Sequence, residues 1–356
     1  MVKVKVGLVG LGEVAQIIHL PILQAQADNF EIAAICDISQ ELLTAMGERY
    51  NVPVERRYLD YKQLAAQPDL DAILIATSDE YHTDSALAAI QHGKHVLIEK
   101  PMCLTHQEAE AIIKARDDTG VKVMVGYMRR FAPAFIGAVE QVRSLGKIHY
   151  ARVRDIIGQN AQFISQSSVV LRPHDIPQEA MRDRAERGAQ MVKSAIGGAA
   201  TELGRIYRLL CGLSSHDLSA MREMLGMPER VIAARLHGVF LTVLFEYNGF
   251  TVTYEMGVDH NRRFDAHITV YGDTKEIRVQ YDTPYIRHLP TQLYISETQG
   301  EAFEERVLRP TFTDPYTMEL LHFHEVITNN TQPKTTPEDF LHDLDLFAMI
   351  IKALQA

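Results

Sequence analysis

Lys100 stands between Glu99 and Pro101, at the end of the apolar run His95-Val96-Leu97-Ile98. Much earlier, Gly10-Leu11-Gly12-Glu13-Val14-Ala15 follows another apolar run and opens a helical pattern. A glycine turn of that spacing can hold the pyrophosphate of a dinucleotide. An ammonium group at the carboxyl end of a strand in the same sheet can donate to a substrate oxygen. Together the two pieces predict a hydride-transfer site, with Lys100 as a catalytic group.

Each residue of the turn has a physical task. Gly10 permits the tight bend, and Gly12 lets the backbone approach a phosphate with no Cβ in the way. Ala15 is small enough for close helix–strand packing. Glu13 and Val14 open the helix, whose unpaired N–H groups and positive end suit phosphate. Asp37 ends the next apolar run, Ile35-Cys36-Asp37-Ile38. A carboxylate there accepts both ribose hydroxyls of NAD and repels the 2′-phosphate of NADP. Ser39 and Gln40 follow, with no arginine at once behind them. NAD is therefore expected as the cofactor, NADP less so, with Asp37 and Ile38 beside the ribose. The plain alternatives, a ligand-free glycine turn and an exposed acidic turn residue, fit the strand–turn–helix order less well.

The elements that must position these groups are legible as a rhythm. Strand patterns at Val4–Val9, Glu31–Cys36, Ala72–Ala76, His95–Ile98 and Lys122–Gly126 alternate with helical ones at Val14–Ala25, Gln40–Tyr50, Ser85–His92 and His106–Thr119. Such alternation predicts an α/β Rossmann domain, a doubly wound parallel sheet, over residues 1–127. After Arg130-Phe131-Ala132-Pro133 the pattern changes. A helix (Ala134–Leu145), a strand (His149–Ile157) and an irregular stretch from Gly158 to Gln178 precede one long helix with Met181, Ala185, Ala189, Val192, Ile196, Ala199, Leu203, Ile206 and Leu210 on a face. Strands then dominate from Val231 to Leu308, with Asn248-Gly249 as a hairpin signal. Helices return at Met318–Thr328 and Phe340–Leu354. Residues 128–356 thus read as an α+β domain with a largely antiparallel open sheet for substrate binding and oligomerisation. Its C-terminal helices could pack back on the first domain.

Bulk properties narrow the function. The 356 residues call for two domains. With 36 basic and 46 acidic residues, a net charge of -10 disfavours nucleic acid and anionic membrane surfaces. Cys36, Cys103 and Cys211 are widely spaced and form no disulfide framework. The N-terminal run lacks signal-peptide features, and no apolar stretch is long enough to span a bilayer. A cytoplasmic protein is expected. The histidines, His322 and His324 included, show no metal-site spacing, and no metal is expected.

Several segments resemble the Gfo/Idh/MocA family of NAD(P)-dependent sugar and polyol oxidoreductases. They are Ala76-Thr77-Ser78 through His82, Gly93-Lys94-His95-Val96, Glu99-Lys100-Pro101, the opening Gly10-Leu11-Gly12 with His19-Leu20-Pro21, and Gly126-Tyr127-Met128-Arg129-Arg130-Phe131. Leu321-His322-Phe323-His324 and Thr336-Pro337-Glu338-Asp339 extend the likeness to the end. The resemblance implies that Glu99 lies near the nicotinamide ribose and that Lys100 touches the reacting oxygen. It assigns Thr77 and His82 to the cofactor-side loop. The family pattern of an aspartate four residues before a histidine aligns the histidine with His216 and puts Gly212 in the acid position. A second register through Gly197-Gly198 recovers Glu202 but sets Ile206 where the histidine belongs. The first is preferred, because proton transfer near neutral pH needs an imidazole.

With the acid missing, Asp217, Asp155 and Asp175 are the acids available to orient substrate or His216. Arg130, Asp155, Arg172, His174 and Asp217 are the substrate-binding candidates, although a solvated loop explains Arg172 and His174 equally well. The expected function is NAD-dependent hydride transfer to or from a sugar, polyol or sugar-derived substrate, by a homodimer or homotetramer. The alternatives are a non-catalytic NAD-binding regulator of the same fold and an NAD-dependent glycosidase working by transient oxidation.

Overall fold

The structure is a computed structural model and describes residues 2–197 and 201–356. The chain forms two compact units, one of Met1–Gly126, Val169–Gly204 and Glu319–Leu344, the other of Tyr127–Ser168, Arg205–Met318 and Asp345–Ala356. The first unit therefore takes in the stretch 169–204, which a single cut near residue 127 assigns to the second.

In the first unit, β1 (Val4–Val9), β2 (Phe30–Cys36), β3 (Arg57–Tyr58), β4 (Ala72–Ile75), β5 (His95–Glu99) and β6 (Val123–Gly126) form a parallel sheet in the order β3-β2-β1-β4-β5-β6. Every residue of β4 and β6 is buried, as helices on both faces of a parallel sheet require. The helices start where the sequence supplies caps. Ser39 Oγ accepts the Leu42 N–H at 3.0 Å at the head of Gln40–Arg49. Thr105 and Glu108 cap His106–Thr119, their side chains 2.8 Å apart. Gly120 ends that helix with φ +74°.

Strand order reverses between β1 and β4, and their carboxyl ends diverge into the crevice where such sheets bind ligands. Gly10 leaves β1 at φ +95°, and a Cβ there would lie 2.5 Å from the Ala76 carbonyl oxygen just past β4. Only glycine fits that turn. A late segment completes the same unit. Val125 N–H donates to Thr335 O at 2.9 Å, and Thr335 Oγ1 donates to Val125 O at 2.6 Å. Glu338 accepts from Arg116 at 2.7 Å, and that guanidinium hydrogen bond brings its carboxyl down to about 2.

The second unit holds β7 (Tyr150–Gly158), β8 (Arg230–His237), β9 (Phe240–Tyr247), β10 (Phe250–Asp259), β11 (Phe264–Tyr271), β12 (Lys275–Tyr281), β13 (Gln292–Gln299) and β14 (Ala302–Leu308). Their order is β14-β13-β12-β11-β7-β10-β9-β8. Among the described strands of this sheet only β7 and β10 pair in parallel. Asn248-Gly249 makes the β9–β10 hairpin, with Gly249 at φ +85°. Helix Pro133–Arg143 packs on β12 and β13, and Ser215–Leu225 on β7. Outward-facing Arg154 lies 3.1 Å from both Glu255 and Asp265. That face is polar and ion-paired.

Three local expectations need correction. The stretch expected to be irregular contains a helix, Asn160–Ser167. The single helix expected from Met181 to Leu210 is two, Gln178–Ile196 and Thr201–Leu209. Gly197, at φ +74°, ends the first with its N–H on Lys193 O; Gly198 and Ala199 lie outside the described residues. The supposed apolar face also fails, for Met181 is 54% exposed. The helix docks by charge instead, Arg184 on Glu80 at 3.2 Å and Arg187 on Asp84 at 2.6 Å.

Candidate active site

The dinucleotide end of the site sits wholly in the first unit. A Cβ at Gly12 would meet nothing within 4 Å, so the turn faces open space that a pyrophosphate can fill. Glu13 and Val14 begin the helix that follows, where first-turn N–H groups have no carbonyl of their own. Asp37 lies just past β2. Its Oδ2 accepts the Leu11 N–H at 2.7 Å and its Oδ1 the Ser39 N–H at 2.9 Å. Burial raises the Asp37 carboxyl above its usual range, against the pull of those amides. Each oxygen keeps a further lone pair for a ribose hydroxyl. Ile38 beside it is half exposed. These groups fit a dinucleotide.

At the other end of the crevice, Glu99 closes β5 and is buried. Its Oε1 lies 2.7 Å from His19 Nε2, and its Oε2 accepts the Lys100 N–H at 3.2 Å. Burial works to raise the Glu99 carboxyl, but the His19 hydrogen bond and the charges of His19 and Lys100 hold it below its usual value. Lys100 follows, half-buried, with a cis peptide to Pro101. His82 joins the two loops. Its Nδ1 is 2.7 Å from Pro101 O and its Nε2 3.1 Å from Thr77 O. The ring fixes the loop after β4 against the loop after β5.

His216 belongs to the second unit, in the first turn of Ser215–Leu225, and is 9% exposed. Its neighbour Asp217 is fully buried and pairs with Arg129, which also lies 3.5 Å from Asp155. The guanidinium sits 5.0 Å from the Tyr281 ring centroid and 5.5 Å from that of Phe264. Burial pushes the Asp217 carboxyl well above the usual range, with Asp155 adding to the push and Arg129 opposing it. Taking that carboxyl out of water favours its uncharged form. Asp155 and Asp217 thus brace the His216 helix on β7. Arg130 is also buried, its Nε 2.6 Å from Glu223.

Arg172 and His174 lie elsewhere again, over the glycine turn. Arg172 Nη2 is 3.0 Å from Glu13, and the His174 N–H donates to Glu41 at 3.0 Å. Sequence reasoning gave no role to Arg129, which differs from Arg130 only by position, or to Gln16. It quoted His19 only as part of a motif. The one signal was polarity inside an apolar helix pattern, where Gln16 and His19 are both buried. Among the described residues no three His, Cys, Asp or Glu side chains group as metal ligands would.

Comparison with known proteins adds what the chain resembles. Residues 4–127 match the model of the oxidoreductase family GFO_IDH_MocA, described by its NAD-binding Rossmann fold. Over this domain the chain resembles that family. An inositol 2-dehydrogenase of Salmonella paratyphi B is 32% identical over 133 residues, 37% of this chain and 39% of that protein. The chain thus matches well under half the length of this curated relative. Solved structures extend the likeness of fold to the whole chain. Levoglucosan dehydrogenase in complex with NADH and levoglucosan has a TM-score of 0.76 at 18% identity, covering 99% of this chain and 98% of that one. A 3-ketoreductase from Actinomadura kijaniata, complexed with TDP-benzene and NADP, has a TM-score of 0.72 at 18% identity, covering 100% and 98%. These solved structures thus share the fold of both units.

Proposed function

We propose that this chain is an NAD-dependent oxidoreductase that moves a hydride between nicotinamide and a hydroxyl-bearing carbon of a sugar, polyol or sugar-derived substrate. Lys100 carries this reading: an ammonium group after β5, beside buried Glu99, in a sheet whose first turn fits a dinucleotide. Bound nicotinamide supplies the hydride chemistry. Lys100 donates a hydrogen bond to the substrate oxygen and polarises it. His216 takes the hydroxyl proton in oxidation and returns it in reduction. Glu99, ionised and held by His19, faces the ribose end and fixes the start of the Lys100 loop. A screen of polyols and sugars for NADH formation tests the reading. Turnover supports it, whereas NAD binding without turnover across the panel replaces it with a non-catalytic regulator.

NAD is the cofactor we favour, because Asp37 stands ready for both ribose hydroxyls and no arginine follows it. The dissociation constant for NAD is expected to be lower than that for NADP. Asp37→Ala should narrow the gap, and equal affinities in the unaltered protein would refute the preference.

A homodimer or homotetramer is the expected assembly, with a second copy over the ion-paired face of the eight-stranded sheet. Light scattering at micromolar concentration checks this, and a monomer would count against it. No described helix is long and apolar enough to cross a membrane, and the three cysteines are buried. Both suit a cytoplasmic setting.

A further inference from the structure

The stretch from Val169 into the helix Gln178–Ile196 forms a strap across the glycine turn and the start of the helix Gln40–Arg49, all within the first unit. Buried Gln16 clamps one end, accepting the Leu171 N–H at 2.9 Å and donating to Leu171 O at 3.0 Å. Arg172 adds its contact to Glu13, and the His174 N–H its bond to Glu41. These contacts deliver Asp175 to one place. Its Oδ1 accepts from Ser39 Oγ at 2.5 Å and its Oδ2 from the Glu41 N–H at 3.0 Å.

Ser39 caps that helix through Leu42 N–H, and Asp175 takes a second first-turn amide, Glu41 N–H. Cofactor geometry gives Asp175 a further task. A ribose 2′-phosphate replaces the hydroxyl that Asp37 would hold, and so it needs donors next to Asp37. The donors there are the Ser39 hydroxyl and the amides that begin the helix, and Asp175 already holds two of them.

We propose that Asp175 is a specificity-determining residue: its carboxylate sits where a 2′-phosphate would bind, so the strap admits NAD and turns NADP away. This rests on the dinucleotide reading of the glycine turn. NADP would have to displace Asp175 and then place its phosphate between Asp37 and Glu41. NAD leaves the strap in place. The Ser39 hydroxyl and the Glu41 amide hold the Asp175 carboxyl below its usual range, so it stays ionised at neutral pH. Its charge adds to the burial that raises Asp37, which places the two carboxylates within each other's field.

The test is direct binding of NAD and of NADP to the full chain by calorimetry, for the unaltered protein, Asp175→Asn and Asp175→Ala. Asp175 is exposed, so both variants should fold. Removing one charge beside a phosphate is expected to tighten NADP by about tenfold or more, with NAD changed by less than about twofold. Asp175→Ala also frees the two donors and should gain at least as much. Binding of adenosine 2′,5′-bisphosphate against AMP should shift in the same way. If the unaltered protein prefers NAD and Asp175→Asn leaves the ratio unchanged, the proposal is overturned and Asp37 alone selects. If the unaltered protein prefers NADP, both the NAD reading and the proposal fall.

Discussion

Lys100→Ala is expected to lower kcat on a confirmed sugar or polyol substrate by about a hundredfold or more, while the NAD dissociation constant stays within about twofold. The size follows from where the charge acts. A hydrogen bond from an ammonium group gains strength as the substrate oxygen gains negative character, so most of it is realised at the transition state. Lys100 is half-buried after β5 and outside the glycine turn, which keeps its loss from weakening the grip on pyrophosphate. Lys100→Arg should not rescue, because guanidinium is bulkier and cannot share a proton near neutral pH. Steady-state kinetics with a parallel cofactor titration separates the two effects. Wild-type turnover in Lys100→Ala would remove the proposed hydride-transfer site altogether.

His216→Ala carries the larger expected loss, on the order of 10²–10⁴ in kcat, the usual reach of general acid–base catalysis. The backbone of the first turn is held independently of the imidazole. Asp217, one residue on, is tied to Arg129, so the alanine variant should keep its fold and its affinity for NAD. His216→Gln would keep a hydrogen-bonding side chain without a proton to exchange, and it is expected to fail as well. Should His216→Ala turn over normally, the register that placed the histidine here is wrong. The position four residues earlier, Gly212, has open space within 4 Å of where a Cβ would stand. An acid could be accommodated there.

How much of this was legible depends on the range of the forces involved. The Rossmann sheet was legible because apolar runs and a glycine turn are local signals, and Val4–Val9 and Gly10 behave as their types dictate. The second sheet was legible as strands but not as an order, since pairing β7 with β10 and β11 is settled by distant partners. Charge pairing hid most. Arg184 and Arg187 look like solvated residues until Glu80 and Asp84 stand opposite them. Asp155 and Asp217 read as free acids for a sugar, because nothing in the sequence says that Arg129, and not Arg130, closes on them. The break at Gly197 was masked by an apolar spacing that ran on through it.

The bonds between Val125 and Thr335 have a meaning for how this protein is made. The β6 strand lies at one edge of its sheet, and an edge without a cover is an invitation to wrong partners. Its cover is translated more than two hundred residues later. A nascent chain therefore carries a nearly finished nucleotide-binding sheet through the synthesis of the whole second sheet, with its outer strand unguarded. Cutting the gene after codon 127 would reproduce that exposed intermediate permanently. An expression fragment meant to yield the first unit needs the late residues supplied, by fusion or by circular permutation, before it can be handled as a stable body.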